Sequence, residues 1–282
     1  ESLDKALLRP GRFDRTVYIR IPNYQERMEI FKVHFKNVPI AKDVSLETLA
    51  GTTYGFAGAD IKNLVNEAAL RAVKLGKKEV QKDDFSYATD KIKLGLEVKS
   101  ALVSDQEKLL TAYHEAGHTI VGIFAPNYDY KFNKVTIGVR DETLGVTHFE
   151  MTDDNFSFSK AFIQDQLAML LGGRLAEEML VGADKVTSGA GNDLAVATKL
   201  AEKMVLEYGM SSLGDNIAFG SLKNYPTDAV NEEVRNILNQ AKTQASSILR
   251  QHQADLKALA NALVKKEILD HDEVMTILNI KN

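Results

Sequence analysis

The sequence predicts a mainly α protein with a small β element, arranged as two helical domains. Three observations carry this expectation. Apolar residues recur at helical spacing through most of the 282 residues. Strand-like alternation is confined to a stretch near residues 134–150 and a shorter run near the start, and residues 95–104 interrupt the helical pattern between two helix-rich parts. A chain of this length has room for two domains, and 44% hydrophobic with 26% charged residues is an ordinary globular composition. The net charge of -4 provides no basic footprint, which weighs against a nucleic-acid partner. With no cysteine there is neither a disulfide nor a thiolate metal site, so His, Asp and Glu are the available ligands. No apolar run reaches membrane-spanning length and no signal peptide opens the chain. The start, Glu1-Ser2-Leu3-Asp4 without a Met, reads as the cut end of a longer protein.

In chain order, Arg9-Pro10-Gly11-Arg12 predicts a rigid turn bearing two guanidinium groups, followed by a strand over Thr16–Ile21. Such a turn suits phosphate recognition in a neighbouring subunit, or it is a solvated basic loop. The stretch from Leu3 to Arg15 resembles the second region of homology of AAA ATPases. That resemblance implies that Arg9 and Arg12 are arginine fingers reaching the nucleotide of the adjacent protomer, with the next strand closing the ATPase sheet.

Four helices follow. Met28, Phe31 and Phe35 stripe a helix over 24–37, and Ser45 starts a short second one. Ile61, Leu64, Val65, Ala68, Ala69, Ala72 and Val73 make a strongly amphipathic third, stopped at Gly76, and Asp83 is expected to cap a fourth from Asp84 to Leu94. The group resembles the helical lid of the AAA module, in which Gly58 and Ala59 match the segment packing near adenine; otherwise they are a plain helix start. No Gly-x-x-x-x-Gly-Lys-Ser/Thr loop is present, so this polypeptide is not expected to cradle ATP phosphates or hydrolyse ATP itself.

The second domain opens with a helix capped by Ser104, with Glu107 three residues on completing a capping box, and ended before Pro126. It carries His114-Glu115-Ala116-Gly117-His118. Residues four apart on a helix share a face about 6 Å apart along the axis, so both imidazoles can bind one metal ion. Glu115, turned about 100° away, can reach a metal-bound water as general base. The alternative is a chance spacing on an amphipathic helix, but two unpaired imidazoles amid Ala, Gly, Ile and Val would be costly.

Lys134–Val139 and Leu144–Glu150 then alternate as a hairpin, whose edge either accepts an extended peptide as an added strand or belongs to a small sheet closing the core. His148 in it reads as a surface or outer residue. Ser159 opens a long helix ended by Gly182, and its Gly172-Gly173 pair predicts close approach by another backbone, that of the His-bearing helix. Thr187-Ser188-Gly189-Ala190-Gly191-Asn192 delivers Asp193 to the first turn of a further helix over 193–208. A third ligand is either Glu177 or Glu178, or Asp193, and position along the chain does not choose between them. Helices over 229–252 and 254–265 follow, with Val234, Ile237, Ala241, Ala245 and Ile248 in a stripe, and Ile268-Leu269-Asp270 capping a last helix.

Taken together, the His-Glu-Ala-Gly-His helix, Leu170-Leu171-Gly172-Gly173-Arg174-Leu175-Ala176-Glu177-Glu178 and Thr187-Ser188-Gly189-Ala190-x-Asn192-Asp193, in that order behind an AAA lid, resemble the FtsH family of membrane-anchored, ATP-dependent zinc metalloproteases. The resemblance implies that His114, His118 and Asp193 are the zinc ligands and Glu115 the base, with Glu177 and Glu178 structural or outer partners. It implies one Zn2+ per protomer, ATP and Mg2+ in the full-length parent, and a homo-oligomer, a hexamer, acting on unfolded protein. An N-terminal anchor would hold the parent at the cytoplasmic face of a bacterial inner membrane, with a mitochondrial or plastid inner membrane as the alternative. The implied division is 1–95 for the end of the AAA module, 96–104 for a linker and 105–282 for the protease. A rival reading is a ring-forming scaffold whose metal is structural or lost. It gives no use to an acid beside His114.

Overall fold

The computed structural model describes residues 18–95, 104–138, 144–150, 157–214 and 216–280. The arginines expected to act as fingers, Arg9 and Arg12, lie outside them. The fold is mainly α with one small three-stranded sheet, and the chain divides into two compact units, one ending at Ala88 and the other beginning at Thr89.

The first unit is built from α1 (Tyr24–Phe35), α2 (Leu46–Thr52), α3 (Gly58–Lys74) and the start of α4 (Lys82–Leu94). Asn23 and Glu26 close a capping box on α1, and the Ser45 side chain accepts from Thr48 N at α2. Their apolar faces meet over Phe31, Leu49, Ile61, Leu64 and Phe85, all buried. Helix α4 begins earlier than expected, and its start is fixed by Asp84 rather than Asp83. The buried Asp84 carboxylate accepts from Gln81 N at 3.0 Å and from Lys77 Nζ at 2.9 Å. The strand expected over 16–21 is not formed at the described residues 18–21. Tyr18 and Ile19 are 90% and 95% exposed, and no strand among the described residues pairs with them to satisfy their backbone groups.

The second unit is organised on α5 (Asp105–Phe124), whose Ala112, Ala116, Ile120 and Val121 are fully buried. Ser104 caps it by accepting from Glu107 N at 3.1 Å. Strands β1 (Lys131–Thr136) and β2 (Val146–Glu150) form the expected antiparallel hairpin, and β3 (Ile268–Asp270) adds to the other side of β1, giving the order β2-β1-β3. Ile268–Asp270 was expected only to cap a helix. It does both: Leu269 pairs with Val135, and Asp270 caps α10 (His271–Ile277).

Helix α6 (Lys160–Val181) crosses α5 at backbone contact. A Cβ at Gly117 would collide with the carbonyl oxygen of Gly172 and lie 2.6 Å from Ala176 Cβ, and one at Gly172 would lie 2.8 Å from Gly117 O. Backbone atoms cannot yield as side chains do. Gly117→Ala is therefore expected to destabilise the unit by about 3 kcal/mol or more, the upper end of core overpacking, measured as a fall in the chemical denaturation midpoint. An unchanged midpoint would show that the two helices can separate freely.

Helices α7 (Gly191–Leu206), α8 (Thr227–Gln251) and α9 (Gln253–Lys266) complete the unit. Glu233 of α8, 7% exposed, accepts from Ser212 N at 2.6 Å and Ser212 Oγ at 2.8 Å, tying the loop after α7 to α8. Burial alone would raise its carboxyl, but the Ser212 donors, with Asn236 and the Lys160 charge, together outweigh burial and hold it below its ordinary 4.5. A carboxyl lowered on folding stabilises above its unfolded value and loses that contribution as pH falls through its folded value. Glu233→Gln is expected to cost about 1–3 kcal/mol at neutral pH and to flatten the acid limb of stability against pH. Parallel acid limbs for the two proteins would contradict this.

Candidate metal centre

Helix α5 places His114 and His118 one turn apart, with ring centroids 4.7 Å apart and Nε2 atoms 3.0 Å apart. Each ring is fixed from behind at Nδ1. His118 Nδ1 lies 2.8 Å from the Met169 carbonyl oxygen, and His114 Nδ1 lies 2.6 Å from Glu177 Oε1. A carbonyl only accepts, so Nδ1 of His118 carries the proton and its Nε2 offers a lone pair. The carboxylate of Glu177 favours the same tautomer for His114.

Asp193, in the first turn of α7, brings Oδ2 to 3.3 Å from His114 Nε2 and 3.5 Å from His118 Nε2. The ligand atoms of His114, His118 and Asp193 all lie within 4.8 Å of one another. Two imidazole lone pairs and a carboxylate facing one point repel unless a cation or a proton lies among them. The electrostatics of the side chains express this. Burial lowers the His114 imidazole, but hydrogen bonds to Asp193 and Glu177 outweigh it and push it up to about 10. Burial likewise raises Asp193, but the two histidines hold its carboxyl well below the usual range. Two nitrogens and one oxygen in this arrangement fit a zinc ion with an open fourth position.

Glycine makes the arrangement possible. A Cβ at Gly173 of α6 would come 2.5 Å from His118 Nε2 and 2.6 Å from His114 Nε2. The Gly172-Gly173 pair thus serves two purposes rather than one close backbone approach: Gly172 meets the α5 backbone, whereas Gly173 makes room for the imidazoles.

The remaining expected residues take different places. Glu115 is 6% exposed, and its Oε2 accepts from Thr147 Oγ1 at 2.7 Å. Burial raises its carboxyl pKa. Glu177 stands behind His114, its other oxygen accepting from Thr187 N at 3.1 Å and Thr187 Oγ1 at 3.2 Å. Burial raises the Glu177 carboxyl, but the bonds to His114 and Thr187 together outweigh it and hold it below its ordinary value. Glu178 is half-buried and outside the cluster, and His148 is half-buried on β2, opposite Lys134. Gly58 and Ala59 form the first turn of α3 in the other unit. Thr147 and the Met169 carbonyl escaped the sequence reading, since neither belongs to a spacing pattern and a carbonyl has no residue signature.

Comparison with known proteins points the same way. A model described as peptidase family M41 matches residues 101–277, and one described as an AAA+ lid domain matches residues 43–87. The chain is 41% identical over 297 residues to the ATP-dependent zinc metalloprotease FtsH of Acidobacterium capsulatum, covering 100% of this chain and 46% of that protein. It is 40% identical over 295 residues to the protein of the same name from Haemophilus influenzae, covering 99% and 46%. For that of Buchnera aphidicola subsp. Acyrthosiphon pisum, the figures are 42% over 286 residues, 96% and 47%. The chain thus spans about half the length of the curated relatives it matches.

Proposed function

Since the chain belongs to peptidase family M41, we propose that it is part of an ATP-dependent zinc endopeptidase that degrades unfolded or membrane-extracted polypeptides. The observation that carries this is the convergence of His114, His118 and Asp193 beside a buried acid on the same helix, Glu115. His114, His118 and Asp193 would hold the zinc, which when bound supplies a Lewis acid and a water of lowered pKa. Glu177 and the Met169 carbonyl keep both imidazoles in the tautomer that points Nε2 at the ion. Glu115 takes a proton from the attacking water and later gives it to the leaving amine, splitting the amide bond with its protons accounted for.

An extended substrate would add along β2, one of the two edge strands of the sheet among the described residues, where main-chain hydrogen bonds carry little sequence preference. Residues 1–95 would serve as the end of an AAA module, 96–104 as a linker and 105–282 as the protease. Arg9 and Arg12 would act on the neighbouring protomer's nucleotide, and Gly58 and Ala59 would lie near adenine. The whole protein would be a homo-hexamer using ATP and Mg2+, anchored at the cytoplasmic face of a bacterial inner membrane. No helix among the described residues is long and apolar enough to cross a membrane.

The test is zinc content and cleavage of unfolded casein by this chain, with and without a chelator, alone and joined to the ATPase half of a relative. One zinc per chain and chelator-sensitive cleavage support the proposal. Zinc without cleavage in either form would leave a scaffold with a structural metal.

A further inference from the structure

Thr147 of β2 and Gly145 just before that strand close on Glu115. Thr147 donates from Oγ1 to Glu115 Oε2 at 2.7 Å and lies 3.1 Å from the Glu115 carbonyl oxygen. A hydroxyl has one proton to give. The carboxylate is the nearer and stronger acceptor, and the Glu115 carbonyl already accepts from Thr119 Oγ1 at 2.8 Å. Gly145 closes on the other side of the same carboxylate. A Cβ there would come 2.7 Å from Glu115 Cγ and 2.8 Å from Oε1.

The donor is carried on a rigid support. Thr147 pairs with Val135 of β1, which is fully buried and paired on its other side with Leu269 of β3. A glutamate side chain has several rotatable bonds, so burial alone does not aim its carboxylate. A general base works only within hydrogen-bond reach and in the right orientation.

We propose that Thr147 is a positioning residue for amide hydrolysis: its hydroxyl fixes Oε2 of Glu115, leaving Oε1 to take the proton from water, while Gly145 leaves the space that this oxygen needs. This rests on the protease reading above. In the step it serves, a water O–H bond breaks and an Oε1–H bond forms as the water oxygen bonds to the scissile carbonyl carbon. The C–N bond then breaks as the same proton passes from Oε1 to the leaving nitrogen.

The experiment compares the intact chain with Thr147→Val, Thr147→Ala and Thr147→Ser, with zinc content and thermal midpoint recorded for each. The carboxyl infrared band of Glu115, identified by its loss in Glu115→Gln, is the readout independent of turnover. The expected result is full zinc content, a shifted band and a kcat about tenfold lower in Val and Ala with KM within about twofold, and recovery of both band and kcat in Ser. An unshifted band in Val or Ala, a wild-type kcat, or a loss confined to KM would overturn the inference. Should Val fail to fold, Ala and Ser carry the same comparison. If the chain cleaves nothing either alone or joined to an ATPase half, the protease reading fails, and the band still decides whether Thr147 holds the carboxylate.

Discussion

Glu115→Gln is expected to keep its zinc and lose cleavage of unfolded polypeptide by a factor of at least about 10²–10⁴, the usual contribution of a general base. The amide has nearly the shape of the acid and still accepts the Thr147 hydroxyl through its oxygen, so neither α5 nor β2 has reason to move. What disappears is the group proposed to accept the proton. Zinc content and kcat measured on the same preparation separate this from loss of metal. A variant that keeps zinc and cuts at the native rate would remove Glu115 from the mechanism. One that loses zinc would mean that the side chain supports the ligands rather than the reaction.

Gly173→Ala is expected to weaken zinc binding by about 100-fold or more, although residue 173 offers no ligand atom. The new methyl group would stand 2.5 Å and 2.6 Å from the two Nε2 atoms. The rings have little freedom to turn aside, since His114 is held by Glu177 and His118 by the Met169 carbonyl. Loss of an outer partner of a metal ligand typically costs 10–100-fold in affinity, and here both imidazoles are displaced together. Gly191→Ala provides the control: a Cβ there meets nothing within 4 Å, and the residue begins α7 close to Asp193. Titration with zinc under a competing chelator should show Gly191→Ala binding as the native chain does. Equal affinity in Gly173→Ala would show that the imidazoles are not confined by α6.

Much of this was legible in the sequence because it is local. His114 and His118 share a face by helical period alone, and Ser45, Ser104 and Ser159 cap helices through donors three residues away. The hairpin declared itself by alternation. The start of α4 misled for a local reason too, because two adjacent aspartates compete and only the packed helix shows that Asp84 takes the Gln81 N–H.

What the sequence by itself determined, then, was the helical class of the fold and a pair of imidazoles beside an acid, since both follow from periods of a few residues along one backbone. Tertiary structure alone decided the division of labour among the acids, placing Asp193 before the two Nε2 atoms and Glu177 behind His114. It also decided that a three-residue strand too short to alternate joins the sheet, and that Thr147 reaches Glu115. The physical reason is common to all of these. Each depends on how α6, α7 and the sheet pack on α5, and that packing is settled by glycine contacts and buried surfaces contributed by segments far apart along the chain.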